Sequence, residues 1–406
     1  MQDAIAHFGS VDWATERHAA CIVDATGRIV EQFSVDHTAR GLASLVRQFQ
    51  RQHVARVAIE RPDGPVVEAL MAADLEVVVV SSRAVKGLRT RYGLAGNKAD
   101  QSDAYILADC LRTDGHRWAS LQLDTPQTVA LRASVRSRKD LVAMRVATAN
   151  QLRAHLGLVF PAAVSLFAEI DSLITLKFLT RFPSADKAAW LSEGRLQAWL
   201  HAKAYCGRRT ASELMDRLRT APPGVPGASA EAQAVVTLSL VRVLGVLVAE
   251  IAQLETHIRE QLARHPDGPI FQSLPRSGTV RAACLLVEIG DSRARFPTPE
   301  SLAALAGAVP STRASGQHRV VTFRWTCDKK LRDALVDFAQ DSVRASPWAE
   351  QLYRRHRQVG KTHPHAARIL TRAWTGVIWR CWQDRQPYNP ARHRALQRVL
   401  TQGGLT

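Results

Sequence analysis

The order of apolar segments between residues 7 and 82 restricts this chain to few folds. HFGSVDWA, HAACIVDA and RIVEQFSV read as three strands, the second and third joined by a turn at Asp24-Ala25-Thr26-Gly27. TARGLASLVRQFQRQH then has the spacing of an amphipathic helix, and VARVAIE and LEVVVVSS read as buried strands because their apolar residues run almost without interruption. A second helical stretch separates those two strands.

Three hairpin-linked strands, a helix, a strand, a helix and a strand is the order of an α/β RNase H-like (RuvC-like) fold, assigned to residues 1–125. QTVALRASVRSRKDLVAMRVATANQLRAHLGLVF, residues 127–160, is one long basic helical run. Residues 161–233 show no clear pattern and include a loop at APPGVPGASA. Residues 234–263 keep helical apolar spacing for about eight turns, the length of a coiled-coil or bundle helix. The expected organisation is therefore a catalytic α/β domain, a helical coiled-coil region at 126–265, a small α-rich C-terminal domain at 266–345 and a basic helical tail at 346–406.

Charge points to a partner. The 54 Lys plus Arg outnumber the 37 Asp plus Glu, a formal net charge of +17, and such an excess concentrates polyanions. Residues 346–406 hold eleven Lys/Arg, including Arg368 and Arg372, against two acids, with Trp348, Trp374, Trp379 and Trp382 among them. That mixture suits phosphate contacts with base stacking, which the net charge favours over the alternative of a solvated basic face packed through its tryptophans. The six cysteines are scattered without a CxxC or a paired Cys/His spacing, so a reduced cytosol and no zinc site are expected. No stretch approaches ~18 consecutive apolar residues and no basic-then-apolar leader opens the chain, so neither a membrane span nor a signal peptide is expected.

The stretch NKADQSDA sets Asp100 and Asp103 three apart on one helix face, an unfavourable pairing unless a cation sits between them. Asp12 ends the first strand and Glu60 the fourth. Adjacent strand ends bring these two together, and a helix packed there adds the other pair. Four carboxylates without His or Cys favour Mg²⁺ or Mn²⁺ over zinc, and paired divalent ions in such a site serve phosphodiester chemistry. Either aspartate alone would read as an ordinary acid at a helix N-terminus.

VDWA around Asp12, AIERP around Glu60 and NKADQSDA around Asp100 and Asp103 resemble the DEDD transposases of insertion sequences, specifically the insertion-sequence-110 family, related to the Piv-type invertases. LVAMRVATANQLRAHLGLVFP is similar to that family's long helix after the catalytic domain. LPRSGTVRAACLLVEIGDSRARFPTPESLAALAGAVPSTRASG with CDKKLRDALVDFAQDS resembles its C-terminal transposase domain. The resemblance implies a recombinase guided by a structured non-coding (bridge) RNA that pairs with donor and target DNA. It also implies a homo-oligomer, dimer or tetramer, whose carboxylate and serine domains come from different subunits, acting on nucleoid DNA. Ser315 matches the family's serine, which would form a covalent phosphoserine–DNA link, with Arg313, His318 and Arg319 around the scissile phosphate.

Two departures stand out. The hairpin usually reading Pro-Gly-Ile-Gly is Pro275-Arg276-Ser277-Gly278, and the residue before Ser315 is Ala314 where a second serine is common. Two other classes compete. A junction-resolving, metal-dependent nuclease would use the same carboxylates with water as nucleophile. A sugar kinase or actin-like ATPase would start from a similar Asp12 hairpin, but would need glycines that are missing after Trp13-Ala14-Thr15. A non-catalytic RNA-binding remnant would not need all four carboxylates.

Overall fold

The computed structural model describes residues 7–80, 85, 87, 100–316 and 318–403, with the backbone alone at Asp100, Ala228, Arg319 and Gly403. Ser81 and Ser82 of the fifth strand-like segment and Asn97–Ala99 of the NKADQSDA stretch lie outside the described residues. The chain divides into two units, residues 1–123 and 124–406.

The first unit is a five-stranded mixed sheet of order β3-β2-β1-β4-β5, formed by β1 (His7–Asp12), β2 (Arg17–Val23), β3 (Ile29–Asp36), β4 (Val54–Ile59) and β5 (Glu76–Val79). The first three strands are antiparallel neighbours, whereas β4 lies parallel to β1 and β5 parallel to β4. The β2–β3 turn is closed by Asp24, whose carboxylate accepts from the Thr26 and Arg28 amides and the Thr26 hydroxyl. That carboxylate closes and stabilises the turn. Helix α1 (Ala39–Arg51), capped by the Thr38 hydroxyl, buries Leu45 and Phe49 against one sheet face. Gly9 leaves room for it: a Cβ there would meet Val54 at 2.9 Å and Phe49 at 3.0 Å. Burying a side chain such as Phe49 contributes about 1.5–3 kcal/mol. Helix α2 (Pro65–Ala72) joins the same core, and α3 (Asp100–Asp114) covers the other face through Ala104, Ile106, Leu107, Ala108 and Leu111.

The second unit is helical apart from one hairpin. Helix α4 (Pro126–Val159) runs antiparallel to α8 (Ala228–Arg264), and their contacts stay in step along the whole length. Thr128 meets His265 just past the end of α8, Arg138 pairs with Glu255, and His155 meets Thr237. The helix expected at 234–263 is thus longer and has an intramolecular partner. By length and apolarity α8 could cross a membrane, with a mean hydropathy of 2.1 over its most apolar window. Its lengthwise contacts with α4 are those of a bundle helix.

One end of this pair belongs to a core completed by residues 160–215, most of them in the stretch 161–233 where the sequence showed no clear pattern. Helices α5 (Leu173–Arg181), α6 (Glu193–Ala202) and α7 (Ala211–Thr220) enclose Leu152, Leu156, Phe178, Leu214 and Leu244 there. The other end enters a second core with α9 (Thr279–Ile289), α10 (Pro299–Leu305), α11 (Lys329–Ser342), α12 (Pro347–Gln358) and α13 (His363–Gln383). The expected basic tail is therefore not a body apart, because Leu370, Trp374, Ile378 and Trp382 of α13 are buried beside Leu286 and Phe338.

A buried histidine gives this second core a pH signature. The His265 Nδ1 accepts from the Asp267 amide, so the neutral ring carries its proton on Nε2, which lies 2.8 Å from the Thr128 hydroxyl. Burial holds its pKa below the ordinary value, against the pull of Asp267 and Asp291. A depressed folded-state pKa contributes stability that is complete above the unfolded value of about 6.5 and is lost as pH falls through the folded value. The thermal midpoint is expected to fall on acidification below about pH 6.5, with a shallower fall in His265→Gln. Identical pH slopes for the two proteins would rule this out.

Candidate catalytic carboxylates and serine hairpin

In the first unit the strand register sets two of the four predicted carboxylate positions, Asp12 and Glu60, side by side at one corner of the sheet. Val11 lies opposite Ile59 in the parallel β1–β4 pair, so Asp12 and Glu60 are the next residues on neighbouring strands. Strands in a sheet are about 4.8 Å apart, which makes the two residues close neighbours. On the other side Asp12 faces Ala19 of β2. Ala104 of α3 packs on Ala19, and the Ser10 hydroxyl donates to the Ala104 carbonyl. That bond fixes the first turn of α3 over the end of β1, where Asp103 is buried. Asp100 begins the same helix one turn earlier, the position from which an i, i+3 pair shares a face.

Among the described residues no three His, Cys, Asp or Glu side chains gather into a group that could hold a metal. Asp100 contributes only its backbone to that comparison. Asp12, Glu60 and Asp103 each have interaction partners of their own.

Two neighbours of these acids were not anticipated. The Arg61 guanidinium lies 4.3 Å from the Trp13 ring centroid and bonds to Asp63, so the residues following Glu60 and Asp12 are stacked on each other. Behind them His18 is buried, accepts from the Ala14 amide and meets His37 at 2.8 Å, with burial and then His37 holding its pKa low. The adjacency of Arg61 and Trp13 to the two acids was a usable signal. His18 carried none.

In the second unit Ser315 is the last residue of β6 (Pro310–Ser315), paired antiparallel with β7 (His318–Phe323). The polar stretch 310–315 forms a strand because Gly316, at φ +55°, turns the chain sharply enough to pair both sides. Ser315 faces His318, and Arg313 faces Val320, so Arg313, Ser315 and His318 share one face, all exposed. Arg319 is the β7 position opposite Ala314. The other face is held to α13 through Phe323, whose ring lies 3.6 Å from the Arg368 guanidinium.

Arg368 is therefore stacked under the hairpin, while Arg372 is exposed. The tail tryptophans are anchors rather than open stacking surfaces. Trp374 and Trp382 are fully buried, and their indole N–H groups donate to the Ser342 hydroxyl and the Gly290 carbonyl. Trp379 donates to the Phe296 carbonyl, and Trp348 packs against the same core. The arginines around them, including Arg354, Arg355, Arg357, Arg372, Arg394 and Arg398, are exposed. Those of α4 are largely committed: Arg132 to Asp124, Arg136 to Glu288, Arg138 to Glu255 and Arg145 to Asp171. At the variant hairpin, Arg276 sits at φ +56° and bonds to Asp341, and Gly278 begins α9 without a side-chain cap.

Residues 10–161 match a DEDD transposase family of the IS110 type, and residues 268–354 match the transposase family of IS116, IS110 and IS902. The chain is 31% identical to a Streptomyces coelicolor protein described as a mini-circle transposase for IS117, over 96% of this chain and 97% of that one. The chain belongs to the IS110 family of transposases. Other members include the 43.6 kDa protein of insertion element IS110 from Streptomyces coelicolor, 30% identical over 71% of each chain. The 44.8 kDa protein of IS116 from Streptomyces clavuligerus is 25% identical over 94% of this chain and 96% of that one. Membership makes the chain a DNA-acting transposase and implies a divalent metal in its chemistry. The first match spans Asp12, Glu60, Asp100 and Asp103, and the second spans Ser315.

Proposed function

We propose that this IS110-family transposase is an RNA-guided DNA recombinase whose Ser315 forms a transient covalent link to DNA. The observation that carries the reading is the pairing, in one chain, of an acidic sheet corner with an exposed serine at the tip of a cationic hairpin. The five-stranded sheet order is read as an RNase H-like (RuvC-like) domain. Asp12, Glu60, Asp100 and Asp103 offer oxygen donors alone, the set that suits Mg²⁺ or Mn²⁺. When bound, such ions stabilise the charge that develops on the attacking and leaving oxygens of a phosphodiester. Arg313 and His318, on the same hairpin face as Ser315, hold the phosphate beside it, whereas Arg319 belongs to the opposite face and is set aside from that role. The uncapped start of α9 after Gly278 offers a further backbone contact.

Attack by the Ser315 hydroxyl forms an O–P bond as the DNA oxygen departs with a proton. The phosphodiester energy is kept in the link, and the reverse step joins the phosphate to a different strand. Recombination needs that conservation; hydrolysis does not. Sequence choice is left to a structured guide RNA pairing with donor and target DNA, and the exposed arginines of α12, α13 and residues 392–398 bind backbones without reading bases. A homo-oligomer is favoured by Met144, Val146, Val243 and Val246, exposed apolar residues at matching heights of the α4–α8 pair. The chain is assigned to the bacterial cytoplasm, at the nucleoid.

The guide is tested by purification. The protein is expected to carry a discrete RNA species whose binding weakens steeply with salt. Arg372→Glu should flatten that salt dependence. Arg368→Glu with Arg372→Glu should weaken binding further, because it also releases the hairpin from α13. Equal affinity for random RNA of the same length would reduce the basic surface to nonspecific attraction.

A further inference from the structure

With the other tail tryptophans built into the core, one indole beside the serine hairpin is left open. Trp325 follows β7 and is 68% exposed, an uncommon state for so large an apolar ring. Phe323 lies edge-on at 6.4 Å, and the Arg368 guanidinium touches both rings, 3.6 Å from the Phe323 centroid and 5.3 Å from that of Trp325. The Arg368 Nη1 is buried and has no hydrogen-bond partner among the described residues, which leaves a donor without an acceptor. Residues 313–333 carry Arg313, Arg319, Arg324, Lys329, Lys330 and Arg332 against Asp328 and Asp333, the latter paired with Arg332.

We propose that Trp325, backed by Arg368, is a stacking platform for one unpaired nucleobase of the DNA strand handled at the hairpin. A base supplies what the site lacks: a flat π surface for the indole and carbonyl or ring-nitrogen acceptors for the guanidinium. An apolar protein side chain would cover the ring and leave the donor unmatched. Phe323 lies on the face of β7 opposite Ser315, and Trp325, just past the strand's end, joins it through Arg368. The platform would therefore hold a base flanking the cleaved phosphate rather than the phosphate itself. The proposal rests on reading the hairpin as a DNA-handling element, but not on the serine chemistry.

The test uses the full-length protein and labelled oligo(dT) of about twelve nucleotides, beside an abasic backbone of equal length and charge. Trp325→Ala is expected to bind the oligo(dT) about tenfold more weakly, to bind the abasic strand as before, and to keep the same salt slope, since no phosphate contact is lost. Trp325→Phe should restore most of the affinity, and Trp190→Ala, a second exposed indole, should change nothing. Unchanged oligo(dT) affinity in Trp325→Ala overturns the proposal, as does an equal loss on both strands. So does a concentration-dependent self-association that vanishes in Trp325→Ala while DNA binding holds, which would assign the ring to a protein contact. Ser315→Ala should bind both strands normally, so a failure of the serine mechanism leaves this measurement intact.

Discussion

Replacing Ser315 by Ala is expected to abolish the covalent protein–DNA species on a nicked substrate and to lower strand exchange on the order of a thousandfold or more. In the proposed mechanism the hydroxyl is the attacking group, and neither chain neighbour can take its place: Ala314 precedes it and Gly316 follows. Ser311 shares its face of β6 but lies four residues further from the tip, opposite Thr322. Ser311→Ala should therefore keep most activity. Because Ser315 is exposed at a hairpin end, its replacement should leave the melting temperature unchanged, so a loss of product cannot be confused with unfolding. If Ser315→Ala still cuts DNA at the wild-type rate, water is the nucleophile and the chain works as a metal-dependent nuclease.

Removing one acid from the sheet corner should be equally decisive. Asp12→Asn or Asp103→Asn is expected to abolish recombination while the melting temperature holds or rises slightly. An amide of the same shape relieves repulsion among neighbouring carboxylates, and it deletes an oxygen donor whose charge a divalent cation requires. Calorimetric titration with Mn²⁺ should show the heat of binding reduced in either variant. Full recombination by either one, or by the wild-type protein in excess chelator, would remove the metal from the mechanism.

The fold was legible in the sequence where burial wrote a simple period. Continuous apolar strands at Val54–Ile59 and the amphipathic run of α1 appear where the pattern placed them, as does the long helix of residues 126–159. Residues 161–220 were opaque because their helices are short and are buried from several directions around Phe178 and Leu214, which blurs any single apolar face. The tail misled through composition. Arginine and tryptophan together suggested a stacking surface, yet which of them faces solvent depends on the core that α13 enters. Of the candidate site, the order of the acids along the strands was readable from the motifs. The Ser10 hydroxyl that pins α3 above them was not, since a serine within a strand has no distinguishing spacing.

The α4–α8 pair constrains how this chain can change in length. Every residue gained on one helix must be matched by a residue gained at the same height on the other, or the contacts beyond that point rotate by about 100°. Thr128 with His265, Arg138 with Glu255 and His155 with Thr237 are three rungs of that ladder. Insertions and deletions should thus occur in α4 and α8 as compensated pairs, or else be confined to residues 160–227 between them. Variants that break this rule should lose the rungs on one side of the change and keep those on the other.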